Sequence, residues 1–288
     1  MTGKDGMSDF VFYDLWERAR GGDIDTLFPG WSPPECVAVL SPHDDDALLG
    51  TSYALLAARQ HGARTAVLIV CDGSAGYSAP EQKDEIVAIR RVETAAAYKQ
   101  LGVDEVARMD LPDLSAGSHQ GWRLPSGRRG SLVETVPRLR GMGCTRLLIP
   151  NPHRENHDHT AAGEMGISDG PLVGDPVLAD WGAAGPVRST HIYSVWGDFG
   201  PEEALVAGQG DIRANRAISA PAEAEEHVRE CIRCFASQGH IIEDLVASRD
   251  ARACRGHFLE LYLSIDPRPK LDMKPYVDLV AGIDEEVG

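Results

Sequence analysis

Residues 36–71 read CVAVLSPHDDDALLGTSYALLAARQHGARTAVLIVC. The first six residues, Cys36–Ser41, form a short apolar run with β-branched residues, the pattern of a strand buried on both faces. Residues 47–60 are rich in Ala and Leu and predict a helix, punctuated by Gly62. Residues 65–71 are a second continuous apolar run. Strand, helix and strand make a βαβ unit, whose crossover helix forces the two strands to run parallel. The alternation continues downstream: helix over 80–101 with Pro at its start and Gly102 after it, strand over 103–111, helix over 131–142, strand over 145–150. Right-handed crossovers then give an α/β, Rossmann-like, doubly wound and mainly parallel sheet with helices on both faces. Such sheets bind ligands beyond the carboxyl ends of their strands. Chemistry is therefore expected after Ser41, Cys71, Leu111 and Pro150.

The second half is less regular. Residues 163–187 hold many Gly and Pro and read as a long loop or insertion. Residues 191–196 and 211–218 look like strands. Residues 221–237 look like a helix whose first turns are acidic, which suits the helix dipole. Residues 258–265 predict a last strand. No internal repeat, low-complexity tract or clean linker divides the chain, so one continuous domain over 1–288 is expected.

Composition narrows the partners. The 288 residues carry 28 Lys plus Arg against 44 Asp plus Glu, a formal net charge of −16. A nucleic-acid or membrane-surface protein needs a basic face, and this balance excludes both as general partners. The N-terminus lacks a basic start, apolar core and cleavage site, so it does not read as a secretory signal. The longest apolar runs fall far short of the ~20 residues of a membrane span. A soluble cytoplasmic protein follows, and homo-oligomerisation is left open. Cys231 and Cys234 form a CxxC without a second pair to complete a zinc site, and core cysteines are the simpler reading. Acidic runs at 202–203, 223–226 and 284–286 read as solvated surface.

Two predicted strands are each followed at once by metal-type ligands: Ser41-Pro42-His43-Asp44-Asp45-Asp46 after the first, and Asn151-Pro152-His153-Arg154-Glu155-Asn156-His157-Asp158-His159 after the fourth. Three adjacent carboxylates repel one another and raise each other's pKa, a cost that a divalent cation removes. His with Asp, leaving room for water, is the donor set of catalytic zinc, although iron, cobalt and manganese also bind such sites. Either cluster alone could be a helix-capping turn. Their coincidence at the carboxyl ends of one sheet favours a metal site.

The same residues resemble the PIG-L/LmbE family of zinc-dependent N-deacetylases. Pro42-His43-Asp44-Asp45-Asp46 looks like its PHxDD signature, with Asp44 where Pro or Leu is usual and Ala47 where Glu is common. Residues 155–163 resemble its second motif, HxDH before a helix start rich in small residues. Cys71-Asp72-Gly73 resembles its DG loop, Arg90-Arg91-Val92-Glu93 its RRxE helix and Ser237-Gln238 its SQ. The resemblance spans most of 36–165 and touches 221–260. It implies a Rossmann-like core at about 36–165, with 166–288 completing the pocket. It also implies removal of an acyl group, usually acetyl, from an amine on a small molecule such as an amino sugar. By position, His43, Asp46 and His159 would be ligands of Zn2+ (or Fe2+), Asp45 the general base that activates water, and Asp158 an orienting carboxylate. Two alternatives stand beside this: an amidase for a thiol conjugate or secondary metabolite, and a non-catalytic module that keeps the metal.

One departure concerns the second motif. The family usually places a histidine three residues before the ligand histidine, where this chain has Asn156. His157 is favoured for the oxyanion-stabilising role, with His153, His257 or Asn156 as alternatives. Arg90 and Asp72 are candidates for binding substrate. Asp113 is ambiguous, Arg91 reads as an ion pair or solvated helix face, and His119, His191, His227 and His240 have no supporting spacing.

Overall fold

The computed structural model describes residues 10–200 and 211–287, so Glu202 and Glu203 and the first nine residues lie outside it. In chain order the elements are β1 (Val11–Asp14), β2 (Ala19–Gly21), β3 (Cys36–Ser41), α1 (Asp46–Gln60), β4 (Arg64–Cys71), α2 (Ile86–Leu101) and β5 (Glu105–Leu111). There follow α3 (Leu132–Met142), β6 (Arg146–Pro150), α4 (His157–Asp169), β7 (Ser189–Tyr193), β8 (Arg216–Pro221) and α5 (Ala222–Ile232). The chain ends with α6 (Gly239–Ser248), β9 (Ala253–Cys254), β10 (His257–Ile265) and α7 (Lys274–Val287). The strands form one ten-stranded sheet ordered β2-β1-β8-β10-β7-β6-β3-β4-β5, with β9 paired to β10. The fold is the expected α/β, Rossmann-like one. Its parallel part is β5-β4-β3-β6-β7, and β10, β8, β1 and β2 continue it with antiparallel pairings.

Every residue of β3 is buried. Val37 and Val39 join the core under α1, α2 and α5, and Ala38 and Leu40 join the core under α3 and α4. A strand covered on both faces has no reason to alternate polar with apolar, hence the unbroken apolar run in the sequence. Each Leu or Ile so buried stabilises the fold by roughly 1.5–3 kcal/mol.

Several expectations are corrected. The helix expected over 80–101 begins only at Ile86, because Pro80–Gln82 is a separate 3-10 turn closed by the Gln82 side chain, which accepts from Ser78 N and Ala79 N. The loop expected from Gly163 is helical through Asp169. Its glycines serve close approach: a Cβ at Gly166 would run into Ile149, and one at Gly163 would lie 2.7 Å from Pro150 O. Strand β8 starts at Arg216, not 211, and α5 stops at Ile232. Glu225 is not solvated surface: it is 2 % exposed and paired with Arg249. All six cysteines are free, Cys231 being buried. Among the described residues no helix is long and apolar enough to cross a membrane.

Candidate metal centre

The chain leaves β3 towards β4 and β5 on one side, then returns to β3's other side with β6 and β7. The loops after β3 and β6 therefore open next to each other, at the switch point where such sheets bind ligands. Ser41 Oγ pins the first loop, donating to His43 O (2.6 Å) and accepting from Ala47 N (3.1 Å). Asn156 caps α4 and shapes the second, its Oδ1 accepting from Asp158 N and His159 N at 2.9 Å each.

His43, Asp46 and His159 converge, with one donor atom of each inside a 4.8 Å group. Asp46 Oδ2 lies 3.0 Å from His43 Nδ1 and 3.1 Å from His159 Nε2, and accepts from His43 N at 2.8 Å. Each imidazole is oriented from behind. His43 Nε2 faces Asp158 Oδ2 at 3.2 Å, and Asp158 is itself held by Leu114 N and Ala116 N. His159 Nδ1 faces the buried Glu155 Oε2. Glu155 Oε1 accepts from Ser194 Oγ and from the amides of Val195, Trp196 and Gly197 at 2.7–3.2 Å.

The donor set passes a test for a cation. His159 Nε2 is buried and makes no hydrogen bond, although it lies 3.1 Å from Asp46 Oδ2. With Nδ1–H given to Glu155, Nε2 keeps a bare lone pair, and two acceptors this close need a proton or a metal ion between them. The titration directions agree. Burial disfavours charge on all three, yet Asp46 is held well below the carboxylate range by His159 and His43. His159 is raised to about 9 by Asp46 and Glu155, and His43 is raised well above its ordinary value by Asp158 and Asp46. Protons on the imidazoles and a cation would balance the same charge. Cys71 and Asp158 form a second grouping with His43. Burial pushes the Cys71 thiol up, which keeps it protonated and a poor ligand.

The match to known proteins follows this geometry. Residues 38–168 match the PIG-L family, described as GlcNAc-PI de-N-acetylase. The chain carries a PIG-L family domain. No curated protein matches it. Among solved structures, N,N'-diacetylchitobiose deacetylase from Pyrococcus horikoshii is similar at TM-score 0.64 and 16% identity, covering 82% of this chain and 85% of that one. GalB, the 4-carboxy-2-hydroxymuconate hydratase from Pseudomonas putida KT2440, is similar at TM-score 0.58 and 17% identity over 83% and 99%. Teicoplanin deacetylase Orf2, in a zinc inhibited form, reaches TM-score 0.52 and 18% identity over 80% and 98%. At these identities the structures share a fold with the chain.

Within the PIG-L domain, the acidic run Asp44–Asp46 divides by direction. Asp44 is fully buried and points away from the histidines. It accepts from Arg90 Nε at 2.9 Å, from Thr94 Oγ1 at 2.7 Å and from Arg108 Nη1. Asp45 keeps 13% of its side chain open and is touched by Arg90 Nη2 at 3.3 Å. Burial raises its pKa, Arg90 opposes that, and Asp46 adds to it. Arg90, expected to face substrate, is 2 % exposed and engaged by Asp44 and Asp45, leaving only Nη1 without a partner. Asp72 is half-buried, and its Oδ1 braces the turn by accepting from Ser74 N and Asp113 N. Asp158 backs His43 and not His157. His157 is exposed in the first turn of α4, and His191 is a core residue bonded to Leu27 O. Sequence reading missed Glu155 and Arg108 and left Asp113 ambiguous; Asp113 accepts from Gly73 N and Ala75 N at 2.8 Å. Glu155 stands four residues before His159 but in the loop ahead of the Asn156 cap, so helical spacing does not mark it. Nothing local marks Arg108.

Proposed function

We propose that the PIG-L domain hydrolyses an N-acyl amide, acetyl first, on a small molecule of amino-sugar type. The carrying observation is the close His43–Asp46–His159 group, in which His159 Nε2 makes no hydrogen bond and lies 3.1 Å from Asp46 Oδ2. His43, Asp46 and His159 would hold a divalent cation, zinc before Fe2+, with Asp158 and Glu155 orienting the imidazoles. Bound there, the ion would supply Lewis-acid polarisation of the amide carbonyl.

Asp45 is the base. Burial raises the Asp45 carboxyl above its ordinary value, Arg90 opposes that and Asp46 adds to it, and a more basic carboxylate is a better proton acceptor. It takes a proton from the attacking water as the C–O bond forms, then gives it to the nitrogen as the C–N bond breaks, releasing a carboxylate and a free amine. Arg90 fixes Asp45 from below. His157, exposed and without a side-chain hydrogen bond among the described residues, donates to the oxygen of the carbonyl as charge develops there. Asn156 is the alternative donor, since the cap uses only its Oδ1. Asp72 Oδ2 is left for a substrate hydroxyl. The family description supports a deacetylase. The fold also occurs in a hydratase, so the reaction rests on the family and these residues. A single domain is supported by the sheet, which takes strands from Val11 to Ile265. The six free thiols suit the cytoplasm.

The test is metal analysis with a panel of N-acetylated amino sugars and acylated non-sugar amides. Acetate release from the sugars, abolished in Asp45→Asn with metal retained, is expected. Hydrolysis of non-sugar amides alone would favour a thiol-conjugate or secondary-metabolite amidase. Metal without any turnover would mean a binding module. Failure to take up a divalent ion, or full activity of Asp45→Asn, would end the proposal.

A further inference from the structure

Residues 114–133 break with the charge of the rest of the chain. They carry Arg123, Arg128 and Arg129 and not one Asp or Glu, in a protein of net charge −16. All three arginines are exposed. Among the described residues none of them has a carboxylate partner, whereas the exposed Arg91 and Arg138 pair with Asp110 and Glu134.

The arginines sit on a tight hairpin. Leu124-Pro125-Ser126-Gly127 makes its turn, with Gly127 N donating to Leu124 O at 2.8 Å and Gly127 at φ +81°. Leu124 N donates to Arg128 O and Gly130 N to Trp122 O, at 2.9 Å each. These two bonds flank the antiparallel bridge between Arg123 and Arg129. That pair is therefore the non-hydrogen-bonded kind, whose Cα atoms lie only about 4.5 Å apart. Directly opposed residues share one face, and like charges there destabilise the pairing. Trp122, one residue along, takes the other face, where its ring meets that of Trp181 edge-on at 5.7 Å. Asp180, beside Trp181, is exposed and makes no ion pair with the arginines. The base is closed: Ser131 N donates to His119 O at 2.6 Å, and a Cβ at Gly130 would run into Gly121 O.

Two guanidinium groups held on one face of a braced hairpin repel each other until an anion lies between them. A carboxylate brings one charge and two oxygens, which one arginine fork already satisfies. A phosphate monoester brings nearly two charges and three oxygens, enough for both forks. The net charge of −16 repels long polyanions, so a single phosphate group fits better than a nucleic acid. The hairpin also stands close to known ground. Its segment leaves β5 at the edge of the sheet that holds the candidate metal centre and gives Leu114 N and Ala116 N to Asp158. Gln120 Nε2 then ties it to α4, donating to Ala161 O at 3.1 Å and to Glu164 Oε2 at 3.0 Å. We infer that Arg123 and Arg129 form a clamp for the phosphate monoester group of a ligand, with Arg128 adding to the local positive charge. The clamp lies outside the His43–Asp46–His159 group, and its test needs no turnover.

Isothermal titration calorimetry of the full-length protein tests this, with inorganic phosphate and glucose 6-phosphate as probes. The buffer is about 0.1 M sodium chloride, where charges more than about 10 Å apart are largely screened. Wild type should bind both probes. Arg123→Ala with Arg129→Ala changes only exposed side chains and should weaken binding by about 10-fold or more, with unchanged circular dichroism and melting in chloride. Arg91→Ala with Arg138→Ala removes the same charge elsewhere and should weaken binding by less than about 2-fold. Flotation with phosphatidylcholine vesicles containing phosphatidic acid separates the sources of the phosphate. Vesicle binding that is lost in the Arg123→Ala, Arg129→Ala protein places the group on a lipid, and binding of the soluble probes alone places it on a soluble ester. A wild type that binds neither probe nor vesicle overturns the inference. So does an equal loss of binding in the two double variants, or a loss in the first that is matched by a lower melting temperature in chloride.

Discussion

Glu155→Gln isolates what the carboxylate behind His159 does for the proposed metal site. Glu155 Oε1 accepts from Ser194 Oγ and three backbone amides, while Oε2 faces His159 Nδ1. A Gln carboxamide has one oxygen for these two jobs. Four donors outweigh one, so the oxygen should stay with residues 194–197 and the NH2 should turn to His159. The imidazole then has to accept at Nδ1 and carry its proton on Nε2, the atom that faces Asp46. Binding a cation would first require this tautomer to be undone. Loss of an orienting partner of this kind weakens metal binding by about 10–100-fold, which is about 1.4–2.7 kcal/mol. Because the loop contacts survive, global stability should fall by less than about 1 kcal/mol. Competition against a chromophoric chelator at fixed pH gives the metal dissociation constant, and urea unfolding of the metal-free protein gives the stability. A variant that binds zinc as tightly as wild type would refute the tautomer argument, and so would one whose affinity loss is matched by an equal loss of stability.

Other expectations concern the scaffold. Asp169 is buried with Oδ2 unpartnered, and burial raises its pKa to about 6. The folded state thus prefers the neutral acid. Stability should fall as pH rises from 4 to 6 and stay lowered above that, by up to about 3 kcal/mol. Asp169→Asn should remove this slope, gaining at pH 7 and not at pH 4, as read by urea midpoints; equal gain at both values would contradict it. Gly73 has φ +80°, and a Cβ there would lie 2.7 Å from Asp44 Oδ2. Gly73→Ala should cost about 2 kcal/mol in thermal unfolding and slow turnover by disturbing Arg90; a neutral effect on both would mean the DG turn is slack. Arg146 is fully buried, bonded to Pro29 O, Gly30 O and Glu35 Oε1. Arg146→Ala should destabilise by about 3–5 kcal/mol, and a loss below 1 kcal/mol in chemical denaturation would show that Arg188 alone satisfies Glu35.

The parallel half of the fold was legible because its information is local. An unbroken apolar run such as Cys36–Ser41 means a strand covered on both faces, and the ligand clusters sit directly after two such runs. The antiparallel half was harder. The short β1–β2 hairpin is mostly open, and β8 and β10 are defined by long-range pairing, as in Ala217↔Leu261, 44 residues apart. The ligand trio was visible as residue types in order. The distribution of roles within Asp44–Asp46 was not. The sequence suggested that a cation relieves all three charges, whereas Arg90 and Arg108 neutralise Asp44 from 46 and 64 residues away. The same contact moved Arg90 from the pocket to the floor beneath Asp45.

Helices α1 and α4 both begin at this site, with Asp46 and Asp158 in their first turns. Each helix start presents roughly half a positive charge, added to two guanidinium groups and two imidazoles that already attract protons. The negative loop is therefore electrostatically compensated by the polypeptide itself. In this the centre differs from a structural zinc finger, where the chain collapses without its ion. On the proposed function, a cation bound here would be a removable part in a finished socket, its identity a matter of supply and exchange.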